Sequence, residues 1–227
     1  YQAVGSERYL VTFHGTGGHS YTGFGIPSPI HAMGRAIAKI SDFQVPSDPK
    51  TTFTVGVVNG GSSVNVIAEE ASMLVDMRSL AADALAELSA KFHKAVEEAV
   101  EEENARWGLE INASDRITVT LEQKGKRPAG TQEKQCQIVQ AANAANQALG
   151  LETLYIGAAS TDANIPISLG IPAITVGWGG KGGGEHTIHE WYEHAESWKG
   201  PQRDLILLLA LSGYQGIQKY QLPYRAK

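Results

Sequence analysis

The residues best suited to chemistry lie in one glycine-rich stretch, Gly177–Glu193, in which His186 and His189 stand among glutamates. Imidazole and carboxylate groups are together the ligands that a divalent transition metal prefers. The stretch follows an apolar run, Ala173–Val176, whose length and glycine boundary predict a buried strand. Ligands bind past the carboxyl ends of strands in open α/β sheets, so this stretch is a candidate metal-binding loop. A solvated surface loop is the alternative.

The same glycines admit a third interpretation, in which Gly179–Gly184 forms a phosphate-binding loop. Lys181 is not followed by Ser or Thr, and no helix begins directly after it. A P-loop requires both features, so we disfavour this interpretation.

Composition and charge exclude several classes of protein. The 227 residues are 42% hydrophobic and 19% charged, with a formal net charge of −5, which is typical of a globular protein with a sizeable core. A negative charge without a basic stripe argues against a nucleic-acid partner. The longest apolar run, Leu205–Leu211, is too short to span a bilayer, so no membrane association is expected. A single cysteine, Cys136, and the lack of a leader favour a cytoplasmic location.

The first half of the chain has a regular rhythm of strands and helices. Alternating apolar residues predict four strands, at Tyr9–Phe13, Phe53–Val57, Met73–Met77 and Ile117–Leu121. Helical spacing predicts one helix after Ser28-Pro29 and a longer one through Leu85, Leu88, Phe92, Val96 and Val100. The order β-α-β-β-α-β predicts a split-βαβ, ferredoxin-like domain, in which helices cover one face of an antiparallel sheet. We interpret the acidic run Glu97–Glu103 as a solvated helix face.

The pattern changes after Lys124–Gly130, which we interpret as a linker. The elements predicted beyond it are a helix (Glu133–Leu149), a short strand (Thr153–Ile156), a helical turn (Ile165–Leu169), the strand Ala173–Val176 and a leucine-rich helix that Pro201 opens. Alternating α and β elements predict a parallel sheet. Two strands make a poor sheet, so this half is expected to be the end of a larger α/β domain.

Five short motifs follow one another along the chain: Gly17-Gly18-His19-Ser20, Asn65-Val66-Ile67, Asp76-Met77-Arg78, Ser160-Thr161-Asp162 and Thr187-Ile188-His189-Glu190. In this combination the chain resembles the di-zinc exopeptidases and deacylases, which include peptidase T, aminoacylase, acetylornithine deacetylase and succinyl-diaminopimelate desuccinylase. The resemblance implies that residues 7–122 form the lid or dimerisation domain. Residues 131–227 would be the C-terminal part of the mainly parallel zinc-hydrolase domain. The N-terminal part of that domain is not found, so we expect a fragment of a longer enzyme.

The resemblance also implies roles for single residues. His19 matches a catalytic lid histidine that reaches the partner subunit's active site and stabilises the oxyanion. Asn65 and Arg78 match substrate-binding residues, and the planar fork of Arg78 suits a substrate carboxylate. Ser160 and Thr161 belong to a substrate-binding loop. Without the resemblance, a solvated turn histidine and an ordinary pair of Arg78 with a neighbouring carboxylate are the simpler interpretations.

For the metal, the resemblance implies that His189 is a zinc ligand, that His186 is neighbouring structure and that Glu193 has no firm role. The full-length protein is expected to bind two zinc ions. It is expected to hydrolyse amide bonds in small peptides or N-acyl amino acids as a homodimer joined through the lid. This chain alone, with one ligand, is expected to bind little or no zinc and to be inactive. The alternative is a non-catalytic module for dimerisation and substrate recognition.

Overall fold

The computed structural model describes residues 1–110, 113–155, 159–185 and 187–214. The chain divides into two compact units. The lid unit is Val4–Gly130, and the second unit comprises Tyr1–Ala3 with Thr131–Lys227. Among the described residues, no helix combines the length and the apolar character needed to cross a bilayer.

Strands and helices are interspersed along the described residues. The strands are β1 (Gln2–Ala3), β2 (Gly5–His14), β3 (Gly18–His19), β4 (Thr51–Gly60), β5 (Val66–Ile67), β6 (Glu70–Ser79), β7 (Thr118–Arg127), β8 (Gly130–Thr131), β9 (Lys181–Gly183) and β10 (Trp191–Glu193). The helices are α1 (Pro29–Ser41), α2 (Ala82–Arg106), α3 (Gln137–Ala148), α4 (Asn164–Ser168) and α5 (Lys199–Ser212). The predicted α/β class is confirmed.

The lid unit is built on a four-stranded antiparallel sheet with the strand order β4-β6-β2-β7. This order confirms the predicted split-βαβ arrangement. The two central strands, β2 and β6, pair without interruption from Gly5 opposite Ser79 to His14 opposite Glu70. A separate two-stranded ladder joins β3 to β5. The strand β7 runs to Arg127, so the predicted linker is wrong for residues 124–127.

One face of the lid sheet packs against α1 and α2 and forms the core. The buried residues of this core include Val11 and Phe13 from β2 and Met73, Val75 and Met77 from β6. The predicted apolar face of α2 is confirmed, because Leu85, Leu88, Phe92, Val96 and Val100 are all buried. Within the described part of the lid unit, both helices lie on this face. We call the other face the open face; it presents Arg8, Leu10, Leu74, Asp76 and Arg78.

The acidic end of α2 is not entirely solvated, so the predicted solvated face is wrong for Glu103. The side chain of Glu103 is only 1% exposed, and its carboxylate accepts hydrogen bonds from Arg35 Nε at 3.0 Å, from the Ser28 N–H at 3.2 Å and from Trp107 Nε1 at 3.2 Å. Burial acts to raise the pKa of Glu103, but these three donors outweigh it and hold the pKa below its ordinary value.

The described part of the second unit contains the helices α3, α4 and α5 and a short hairpin, and the strands predicted for this unit are wrong. Ala173–Val176 is not a strand: the N–H of Ala173 donates to the Gln132 side chain, and the same side chain donates to the Ala173 carbonyl. Residues 153–155 are not strand either, and Ile156 lies outside the described residues. Within the described part of this unit, Ala3 forms an isolated parallel bridge with Ala159.

The Glu103 network predicts a pH dependence of lid stability. Because the pKa of Glu103 is lowered on folding, its contribution is complete above its ordinary value of 4.5 and is lost as the pH falls through the folded value. Glu103→Gln should cost about 1.5–3 kcal/mol at neutral pH and should make the loss of stability below pH 4.5 shallower. Urea unfolding, followed by NMR signals of Val11 and Val75, measures this. Glu98→Gln, on the exposed side of α2, is the control and should cost less than about 1 kcal/mol; an unchanged acid slope in Glu103→Gln would contradict the assignment.

Candidate functional site

The first candidate residue, His19, stands at the end of the short strand β3, and its side chain is exposed. Gly17, with φ of +66°, makes the turn that leads into this strand, a conformation that favours glycine. The ring nitrogen Nδ1 accepts the N–H of Tyr21 at 3.2 Å and, more weakly, that of Thr22 at 3.5 Å. A nitrogen that accepts carries no proton, so the neutral ring holds its proton on Nε2. His19 therefore presents an N–H donor away from its own loop.

The second candidate, Asn65, lies next to His19. The ladder of β3 and β5 places His19 opposite Val66, and the N–H of Ser20 donates to the Asn65 carbonyl at 2.9 Å. The Asn65 side-chain oxygen accepts a hydrogen bond from the Ser63 hydroxyl at 2.9 Å. The structure thus brings together two candidate residues that the sequence separates by 46 positions.

The loop that follows His19 is held in place by contacts of Phe24 and Gly23. The rings of Phe24 and Trp107 form a T-shaped pair with the centroids 5.4 Å apart, and Trp107 in turn donates a hydrogen bond to the buried Glu103. The N–H of Gly23 donates to the His19 carbonyl at 2.8 Å. Sequence reasoning missed this support, because no local pattern links Phe24 to Trp107.

The third candidate, Arg78, lies on the open face of β6 in an ion-pair cluster. Its Nε donates to Asp76 Oδ2 at 2.6 Å, and Arg8 Nε donates to Asp76 Oδ1 at 2.7 Å. Burial acts to raise the pKa of Asp76, but the hydrogen bonds from Arg78 and Arg8 outweigh it, so this pKa lies below its ordinary value. Arg8 was not among the sequence candidates, although its place in the alternation of β2 puts it on the open face.

The structure separates Arg78 from His19. Along β2 and β6, His14 pairs with Glu70 at one end of the sheet, and Ser6 pairs with Arg78 at the other. At about 3.3 Å per residue, Glu70 and Arg78 are roughly 26 Å apart. His19 belongs to the Glu70 end, because the turn before it is tied there by the Gly15 N–H, which donates to the Glu69 carbonyl at 2.9 Å. One small substrate cannot contact both ends of one lid unit.

Ser160 and Thr161 lie in the second unit, before α4. The Thr161 hydroxyl is hydrogen bonded to the Thr175 hydroxyl at 2.7 Å, and its N–H donates to the Asn164 side chain at 2.7 Å. The Ser160 hydroxyl oxygen is buried, and within the described part of the chain no hydrogen-bond partner is recorded for it. A buried hydroxyl of this kind is a candidate acceptor or donor for a ligand.

The predicted metal loop contains a hairpin rather than an open loop. β9 pairs with β10, with Lys181 opposite Glu193, and the intervening turn is held by the Thr187 hydroxyl, which donates to the Gly184 carbonyl at 2.7 Å. His189 is exposed in this turn, and its N–H donates to the Thr187 hydroxyl at 3.1 Å. His186 lies outside the described residues.

Zinc requires three or four protein ligands in a defined geometry. Among residues 1–110, 113–155, 159–185 and 187–214, no group of three or more His, Cys, Asp or Glu side chains could hold a metal ion. These residues therefore do not by themselves fit a zinc ion, and the role of His189 stays a prediction.

A protein-family model matches most of the lid unit. Residues 1–104 match the family model described as a peptidase dimerisation domain. This part of the chain is therefore similar to peptidase dimerisation domains. The resemblance to the exopeptidases and deacylases is confirmed. Among curated proteins, none matches the chain.

Solved structures extend the likeness of fold beyond the dimerisation domain. The aminopeptidase PepT of Bacillus cereus superposes with a TM-score of 0.69 at 20% identity, covering 91% of this chain and 52% of that one. A tripeptidase of Staphylococcus aureus gives 0.70 at 22% identity, with 91% and 51% covered. An amidase of the hydantoinase/carbamoylase family from Burkholderia vietnamiensis gives 0.64 at 19% identity, with 92% and 48% covered. The chain thus spans about half the length of these proteins and shares their fold.

Two histidines of the lid unit should differ in tautomer. His19 accepts at Nδ1 and should carry its proton on Nε2, whereas His93 Nδ1 lies 2.7 Å from the Ser89 carbonyl, which can only accept, so its proton should be on Nδ1. Long-range ¹H–¹⁵N NMR at mildly alkaline pH, where imidazole is neutral, distinguishes the two forms. The same tautomer at both residues would contradict the geometry around His19.

Proposed function

We propose that the protein containing this chain is a zinc-dependent hydrolase of amide bonds in small peptides or N-acyl amino acids. In this proposal the chain contributes substrate-binding groups, the lid histidine His19 and one zinc ligand, His189. The support is the dimerisation domain, together with a fold shared with an aminopeptidase, a tripeptidase and an amidase. The cytoplasmic location stays a prediction from the single cysteine.

The observation that carries the proposal is the arrangement of His19. Amide hydrolysis develops negative charge on the carbonyl oxygen, and a donor that is already oriented stabilises that charge without reorganisation. Two backbone N–H groups bind His19 Nδ1 and so direct the proton to Nε2. The exposed Nε2–H donates to the oxyanion, and the neighbouring Asn65 amide binds the substrate beside it.

The substrate carboxylate is assigned to Arg78 at the other end of the sheet. Ser160 and Thr161 are proposed to bind the substrate by their hydroxyl groups. Because Arg78 lies roughly 26 Å from Glu70, at the end of the sheet that holds the His19 turn, the two residues act on one small substrate only when they come from different copies. The proposal therefore requires a homodimer.

The exposed edge of β4 is the better candidate for the dimer contact. Val57 and Val58 on this edge are 45% and 53% exposed. The opposite edge strand, β7, carries Glu122, Lys124, Lys126 and Arg127, and charged side chains are a common protection against edge pairing. An apolar, uncharged edge invites pairing with a second copy.

Sedimentation equilibrium tests this assignment. The chain should sediment as a dimer of 24.3 kDa subunits, and Val58→Lys should shift it to monomer because two lysines would meet across the symmetric contact. Thr120→Lys, on the β7 edge, is the matched control and should leave the dimer intact. If the wild-type chain is a monomer at tens of micromolar, the proposal that two copies share one substrate site is contradicted.

The activity is tested by complementation in the full protein. His19→Ala and Arg78→Gln should each lower turnover at least tenfold while the dimer persists, because each removes one charge-stabilising contact. Mixing and reassociating the two variants should restore about a quarter of the wild-type activity, because half of the dimers are mixed and each has one complete site. No recovery would place both residues in the same copy's site; no activity in the wild type would favour the non-catalytic module.

A further inference from the structure

We propose that Arg8 and Arg78 together form a carboxylate-binding site on the open face of the lid sheet, with Asp76 holding both guanidinium groups in place. This inference rests on the proposed function of Arg78 and adds Arg8 as a second determinant of specificity. Its ligand class is a substrate with a free carboxylate.

The cluster is organised around one shared carboxylate. Asp76 uses Oδ2 for Arg78 Nε and Oδ1 for Arg8 Nε, at 2.6 and 2.7 Å. Both contacts use Nε. Within the described part of the chain, no hydrogen-bond partner is recorded for the terminal nitrogens of the two guanidinium groups, so these nitrogens are available to a ligand. Guanidinium groups bind carboxylates through such pairs of N–H donors.

The sheet register fixes where the two arginines stand. Arg8 on β2 is directly opposite Asp76 on β6, and Arg78 is two residues further along β6 on the same face. On the other side of Arg8, β7 presents Gly125, which has no side chain to cover it. The side chains of Arg8 and Arg78 are 54% and 42% exposed, so a ligand from solvent can reach both.

The charge balance of the cluster selects a monoanion. Two guanidinium groups face one carboxylate, which stays ionised at neutral pH because its pKa is lowered, so one positive charge is in excess. A purely structural function explains the second arginine less well, because exposed ion pairs contribute only about 0–1 kcal/mol to stability. A binding function accounts for both arginines and for the carboxylate that orients them.

The test is an NMR titration of this chain with N-acetylglycine, observing the Nε–Hε signals of Arg8 and Arg78. N-acetylglycinamide, which lacks the carboxylate, is the control probe. The expected result is that N-acetylglycine shifts both signals along one saturating curve, whereas the amide shifts neither. No shift with N-acetylglycine, or equal shifts with both probes, would overturn the proposal.

Variants separate this inference from the proposed function. Arg8→Gln should weaken N-acetylglycine binding about tenfold, and Arg8→Lys should recover only part of the loss, because lysine lacks the planar fork. Lys124→Gln removes the same charge from the neighbouring strand and should weaken binding less than twofold. A similar loss in Arg8→Gln and Lys124→Gln would overturn the inference. Failure of the His19 and Arg78 complementation would count against the proposed function instead, since that experiment does not involve Arg8.

Discussion

The in-register pairing of β2 with β6 is the constraint on which the lid depends. Ten consecutive pairs, from Gly5 with Ser79 to His14 with Glu70, align the two central strands. A slip of β2 by one residue would turn Val11 out of the core and Arg8 into it, and burying that charge without a partner is costly. The same register positions the candidate residues, because it holds the His19 turn at one end of the sheet and the arginine cluster at the other.

The lid could be predicted from sequence because each of its elements buries one face. The alternation of Tyr9, Val11 and Phe13, and the helical spacing of Leu88, Phe92 and Val96, follow directly from that burial. Glu103 could not be predicted in the same way. Its burial depends on Arg35 and Ser28, which approach only after α1 has packed against α2, and an acidic run alone carries no sign of such partners.

The second unit was harder to predict because its strands depend on partners rather than on local pattern. Ala173–Val176 has the composition of a buried strand, but its first residue bonds to the Gln132 side chain instead of to a neighbouring strand. The hairpin of β9 and β10 could not be predicted from the sequence, because three of its six residues, Lys181–Gly183, lie in a glycine-rich stretch that is typical of a loop. For the candidate site, the motifs identified His19, Asn65 and Arg78 singly, and only the β3–β5 ladder shows that the first two are neighbours.

The two ends of the lid sheet offer different hydrogen-bond donors, and under the proposed function this difference would orient a substrate. One end of the sheet offers a neutral imidazole donor and an amide, and the other offers a positively charged pair of arginines. Neutral donors suit a carbonyl that becomes charged only in the transition state, whereas guanidinium groups suit a carboxylate that is charged from the start. In a symmetric dimer, the substrate carboxylate would lie on one copy and the scissile carbonyl would face the other. Recognition and chemistry would then both depend on dimerisation, because a single lid cannot offer its two ends to one small molecule.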